Sequence, residues 1–201
     1  FNTVDPADTD LNGIPDYIDV VARVADSVYV IEVEELGLKA PLDDNNTDGP
    51  EWDIYIRNLP NVYGQTTPEK QVASNPDQYY GYIELDNNYQ HTYTKGLHGM
   101  RVTLAHEFFH LIHMAYNLRT SNFYTFDDLF LMEASSTWME DYVYDHINDY
   151  YAYITSFFRT NNVPFDYVGN NHEYGLALWW HYIETVFQTP DLIRETWEAI
   201  A

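Results

Sequence analysis

A length of 201 residues suits one domain with a buried core, and an apolar share of 45% that includes 19 tyrosines argues against disorder. The 32 acidic against 9 basic residues leave a net charge of −23, which disfavours nucleic acid and anionic lipid as partners. With no cysteine, disulfides, thiolate metal sites and cysteine catalysis are excluded, so any metal must be held by His, Asp or Glu.

In chain order, "DPADTDLNGIPDYID" (5–19) packs acids, Asn, Gly and two prolines into a loop with calcium-ligand spacing. Asp8, Asp10 and Asn12 stand at positions 1, 3 and 5, Gly13 at the sharp turn, and the Ile14 carbonyl at position 7. Asp16 and Asp19 follow at positions 9 and 12. An Asp at the last position, in place of the usual bidentate Glu, weakens the expected binding. "DDNNTDG" repeats the start of this pattern with Asp44, Asn46, Asp48 and Gly49, but Tyr55 stands where the closing acid belongs, so a plain turn is expected.

Residues 17–37 carry apolar residues at helical spacing and stop at Gly37. "WDIYIRNL" (52–59) alternates as a strand, 60–78 reads as a loop, and "YYGYIELD" (79–86) reads as a second strand. His91 and His98 fall in a loop expected to face solvent. From Leu97 onward the character is helical, through "LHGMRVTLAHEFFHLIHMAYN", "DDLFLMEASSTWMEDYVYDHI", "YYAYITSFFRT" and "EYGLALWWHYIETVF", with a break near Pro164. No apolar run reaches the roughly 18 residues of a membrane helix. The fold class expected is α+β, one domain over 1–201. An N-terminal α/β lobe (1–97) with a small mixed sheet would meet a mainly helical lobe (98–201), the three-histidine helix lying at the junction.

"HEFFH" (106–110) carries the chemistry. Residues four apart on a helix lie about 40° apart around its axis and about one turn along it, so His106 and His110 can converge on one ion. Glu107, rotated about 100° from His106, reaches a water on that ion. Zinc suits such ligands and brings a bound water's pKa to about 7; Glu107 would take its proton and return one to the departing amine. His113 lies close to the same face, but one straight helix cannot wrap three side chains around a tetrahedral ion. A packed or supporting histidine is expected there. Glu133, followed by the small residues Ala134, Ser135, Ser136 and Thr137, is the expected third ligand, since small residues let two helices approach. Glu140, between bulky Met139 and charged Asp141, suits the rim or a supporting role.

"HEFFH" followed by "LMEASSTWMED" resembles the gluzincin metallopeptidases, whose third ligand is a Glu on a following helix. The whole chain, from "DLNGIPDYID" through "EASSTWMEDYVY", is also similar to secreted microbial metalloproteases. The metzincin pattern is excluded, since it wants Gly at 113 and His or Asp at 116, where this chain has His113 and Tyr116. The resemblance implies a zincin-like fold, with a cleft above the active-site helix, and zinc-dependent hydrolysis of a protein or peptide substrate, as an endopeptidase with exopeptidase action left open. It also implies an oxyanion donor beyond the third ligand, for which Tyr174 and His172 both qualify. Where the thermolysin branch has an Asp four residues after the ligand Glu to orient the first histidine, this chain has Thr137. Glu140 and Asp141 are both open as substitutes. In similar enzymes the strand placed as 79–86 is here pairs with the extended substrate; an ordinary sheet strand is the equal alternative. The first loop resembles thrombospondin-type calcium loops.

Two cofactors are therefore expected, zinc on His106, His110 and Glu133 and calcium on the first loop. The calcium loop, the lack of cysteine and a start at Phe1 rather than Met suggest a secreted monomer excised from a longer precursor. The alternative is a calcium-stabilised surface or adhesion module with a zinc site and little turnover. Hydrolysis of another amide or ester is a third option.

Overall fold

The structure, a computed structural model, describes residues 4–43, 49, 51–118, 120–122, 125–126, 128–160 and 162–201. Asp44, Asn46 and Asp48 of the second acidic stretch lie outside the described residues.

Helix α1 (Asp16–Tyr29) begins directly after Pro15, with Asp16 and Asp19 in its first turn, where acids complement the helix dipole. Val21, Val24 and Val28 form its buried stripe. The helix widens into a π-helical segment, Val30–Glu35, and ends at Gly37, whose φ of 69° is readily adopted only without a Cβ. The widening turns Glu32 into the core, where both its carboxylate oxygens are buried with no hydrogen-bond partner among the described residues.

Strands β1 (Ile54–Arg57), β2 (Gly64–Val72) and β3 (Asn75–Asp86) form one sheet in the order β1-β3-β2. β1 runs parallel to β3 and β2 antiparallel to it, so the sheet is mixed. Strand β2 corrects the sequence reading, which left residues 60–78 as a loop. Its residues are Gln, Thr, Glu and Lys around Pro68, with no apolar alternation to reveal it. Proline is tolerated because β2 is an edge strand, its described sheet partner being β3 alone. β3 is held on both sides through Ile83–Asp86, and by β2 alone over Asn75–Tyr82 among the described residues. The structured end of β3 is fixed by Asp86, whose carboxylate accepts the backbone N–H groups of Leu59, Asn88 and Tyr89.

Helix α2 (Gly96–Tyr116) crosses this sheet and is buried along nearly its whole length from Gly99. Two glycines permit the crossing. A Cβ at Gly64 would stand 2.6 Å from Thr103 Cγ2 and 3.0 Å from Glu107 Cγ, and one at Gly81 would stand 2.7 Å from Met114 Sδ. On its other side α2 meets α3 (Leu129–Val143), where Ala134, Ser135, Ser136 and Thr137 are buried and small enough for close approach. A short hairpin, β4 (Thr120–Asn122) with β5 (Thr125–Phe126), links the two helices. α4 (Tyr151–Arg159) packs on the single turn α5 (His172–Gly175), and α5 and α6 (Ala177–Phe187) pack on α3. α7 (Asp191–Ile200) inserts Trp197 against the end of α2. Among the described residues no helix is long and apolar enough to cross a membrane.

Burial raises the pKa of Glu32 well above the ordinary carboxylate value of 4.5, the charge of His106 opposing it only in part. The folded chain therefore binds this proton more tightly than the unfolded one, and stability falls as pH rises above about 4.5 towards the folded value. Glu32→Gln should raise stability at neutral pH by on the order of 1–3 kcal/mol. The gain should disappear below pH 4. Paired thermal melts of metal-free protein across pH 4–8 check both halves.

Candidate metal centre

The spacing in "HEFFH" does what helix geometry requires: His106 and His110 project from adjacent turns of α2 with their Nε2 atoms 3.1 Å apart. The small-residue face of α3 brings in Glu133, whose Oε2 lies 3.1 Å from His106 Nε2 and 3.5 Å from His110 Nε2. All three side chains are largely buried. Donors at 2.0–2.1 Å from a tetrahedral ion stand about 3.3 Å from one another, so the triangle has the edge lengths such an ion demands. This group can hold a metal ion.

The surrounding hydrogen bonds decide where the lone pairs point. Glu140 Oε1 lies 2.6 Å from His106 Nδ1, which donates to it and leaves the His106 Nε2 lone pair facing the triangle. Glu140, one helix turn nearer the C-terminus than Ser136 and Thr137, is thus the residue that orients His106. Asp141 points elsewhere, its Oδ2 3.8 Å from His181 Nε2.

His110 is oriented by a histidine. His113 Nδ1 lies 3.2 Å from His110 Nδ1, and His113 Nε2 lies 3.3 Å from Ser135 Oγ. The Ser135 hydroxyl donates to the Leu131 carbonyl at 2.7 Å, so it accepts from His113 Nε2–H. His113 is neutral, its pKa lowered by burial and by the charge of His110, so its Nδ1 is left as an acceptor. His110 Nδ1–H donates to it, with Ser136 Oγ a second acceptor at 3.4 Å, and His110 Nε2 turns its lone pair inward. The ring of His113 is clamped against Trp197, 4.1 Å between centroids. The supporting role expected for His113 is the one the structure gives it.

Three acceptors therefore converge with no hydrogen assigned between them, an arrangement that needs a cation. A proton is the smallest that fits. Burial pushes the His106 pKa down, but the hydrogen bonds and charges of Glu133 and Glu140 outweigh it and raise it. Burial likewise pushes Glu133 up, and the charges and hydrogen bonds of His110 and His106 overcome it to hold the carboxyl below its usual range. Glu140 is pushed up to about 8 by burial, with His106 pulling the other way.

Above the triangle opens a cleft of about 270 Å³, lined by His106, Glu107, Glu140, Asp149, Tyr153 and Tyr174, with Asn61–Gly64 at one wall. Thr66 Oγ1 of β2 lies 2.8 Å from Glu107 Oε2 and 2.8 Å from its carbonyl, which fixes the carboxylate. Tyr174 stacks near His106, 6.1 Å between centroids, and against Tyr153. His172 does not reach the cleft: it stacks on Phe157 and lines an apolar hollow with Leu176 and Trp179. Its two ring nitrogens have no hydrogen-bond partner among the described residues. His91 sits 3.1 Å from the Val62 carbonyl, and His98, in the first turn of α2 and not in the loop expected, packs on His146; both lie away from the triangle. Thr66, Asp149, Tyr63 and Tyr153 were not singled out by the sequence. Thr66 lies on the strand that composition hides, and the others carry no spacing signal.

A second, exposed group, Asp8, Asp10 and Asp16, can also hold a cation. Asn12 ties it to Asp19 through a 3.0 Å hydrogen bond, and Asp8 accepts the N–H groups of Asn12 and Gly13. Ile14 follows Gly13, whose φ is 89°.

His113→Phe keeps the ring stacked in place but removes the acceptor for His110. It should weaken metal binding about 10- to 100-fold without loss of helix. Competition against a chromophoric chelator measures this, and unchanged affinity would reject the relay. No protein-family model, curated protein or solved structure matches this chain.

Proposed function

We propose that the chain is a zinc-dependent peptidase of gluzincin type, zincin-like in fold and acting outside the cell. The observation that carries this reading is the triangle of two imidazole nitrogens and one carboxylate oxygen, with Glu107 beside it at the floor of an open cleft. His106, His110 and Glu133 would hold the zinc, whose donor preference they match. When bound, zinc supplies a Lewis acid and brings the pKa of water to about 7.

The remaining steps belong to the chain's own residues. Glu107 accepts a proton from the attacking water and delivers one to the nitrogen that leaves. Thr66 Oγ1 lies within hydrogen-bond distance of one of its oxygens, and Glu107 lines the cleft. Tyr174 faces the same space. Burial, then the charge of Glu133, raises its pKa, so at neutral pH its phenol remains a donor for the oxygen that becomes negative. The outer side of β2, which has β3 alone as sheet partner among the described residues and reaches the cleft at Gly64, is where an extended peptide would pair.

Calcium is the occupant expected for the first loop: Asp8, Asp10 and Asp16 converge there, and the spacing adds Asn12, the Ile14 carbonyl and Asp19 as further hard-oxygen donors. At ten times its dissociation constant, calcium should add about 1.4 kcal/mol, or roughly 3–5 °C in Tm. Asp10→Ala should abolish the shift in a thermal melt.

Metal analysis should find one zinc per chain. Glu107→Gln should retain that zinc and lose hydrolysis of a denatured-protein library by about 100-fold or more. Full activity in this variant overturns the mechanism. Bound zinc with no chelator-sensitive cleavage by the natural sequence would favour the surface module over the peptidase.

A further inference from the structure

The cleft contains a second feature, a carboxylate with one oxygen left unmet. Asp149 lies just before α4 and is only 3% exposed, yet it lines the cleft. Its Oδ1 is buried without a hydrogen-bond partner among the described residues. Glu140 Oε2, in the same cleft, is in the same condition, its Oε1 being taken by His106. Burying a carboxyl oxygen with no partner is costly unless something supplies one.

The walls suit one kind of donor. Tyr63, Tyr153 and Tyr174 give the cleft aromatic sides, and Asn61 and Asn171 stand at its margin. No lysine or arginine is among the described residues that line it. Aromatic faces accept the aliphatic stem and the cation of a long basic side chain, while the unmet carboxylate oxygen accepts its N–H groups. Burial lifts the Asp149 carboxyl above its usual range, with hydrogen bonding from Thr94 and Tyr63 offsetting this in part, so an incoming cation relieves a strain the fold already carries.

We infer that Asp149 is a specificity-determining residue which receives an arginine or lysine side chain of the substrate next to the bond to be cleaved. The inference rests on the peptidase reading and adds the class of substrate.

The test uses N-acetylated, C-amidated peptides in pairs that differ only by arginine against citrulline, its uncharged isostere, at each position near the cleaved bond. With the zinc-loaded full chain, arginine at one position should raise kcat/KM by about 10- to 100-fold over citrulline, chiefly through KM. Asp149→Asn should bring that ratio close to one, and Asp149→Glu, which keeps the charge, should preserve a part of it. The natural sequence alone suffices should Asp149→Asn not fold: a ratio near one at every position overturns the inference. So does a preference that survives Asp149→Asn in folded protein. Calorimetric titration of the same peptides into Glu107→Gln separates the two proposals. Tighter binding of arginine than citrulline, with no cleavage by the natural sequence, upholds the subsite and sinks the peptidase; cleavage without arginine preference does the reverse.

Discussion

Three atoms that each carry a lone pair stand within 3.5 Å of one another in a largely buried setting, and everything else in the molecule is arranged around that demand. Left to themselves, two imidazole nitrogens and a carboxylate oxygen would separate or take up protons. They are held together because each ring is gripped from behind, His106 by Glu140 and His110 by His113, while Glu133 is carried in by a different helix. Fixing the rear nitrogen of an imidazole sets its tautomer, and that choice aims the front lone pair.

The fold serves this convergence through close approach. α2 is wedged between a sheet and a helix, and at each surface the contact depends on the lack of side-chain bulk. Gly64 and Gly81 make room on the sheet, and the run from Ala134 to Thr137 makes room on α3. The same proximity that lets Glu133 reach the histidines lets Thr66 reach Glu107 from the opposite side. A single buried helix thus receives Glu133 and Glu140 from one neighbour and Thr66 from another.

Much of this was legible in the residues, because helical periodicity and the spacing of His106, Glu107 and His110 are local properties. The choice of Glu133 over Glu140 was also readable, from the bulk of their neighbours. What escaped was what depends on distant pairing. β2 hides behind Pro68 and a polar run because an edge strand need not alternate. Thr66 meets Glu107 across 41 positions, which no short pattern records. The orientation of His106 by Glu140 rather than Asp141 turns on which side of α3 each carboxylate leaves, and the sequence admitted both. His172 and Tyr174, two residues apart, looked equivalent; a single turn of helix sends one to an apolar hollow and the other to the cleft.

The split origin of the donor set has a consequence for the chain during its synthesis. Two of the three donors lie within five residues on α2, whereas the third arrives 23 positions later on a helix that must be made, folded and docked before it counts. A nascent chain that has exposed only "HEFFH" owns a weak, two-point hold on any passing ion. A full three-donor hold would begin when the second helix closes, so a chain that has emerged only as far as α2 would lack it.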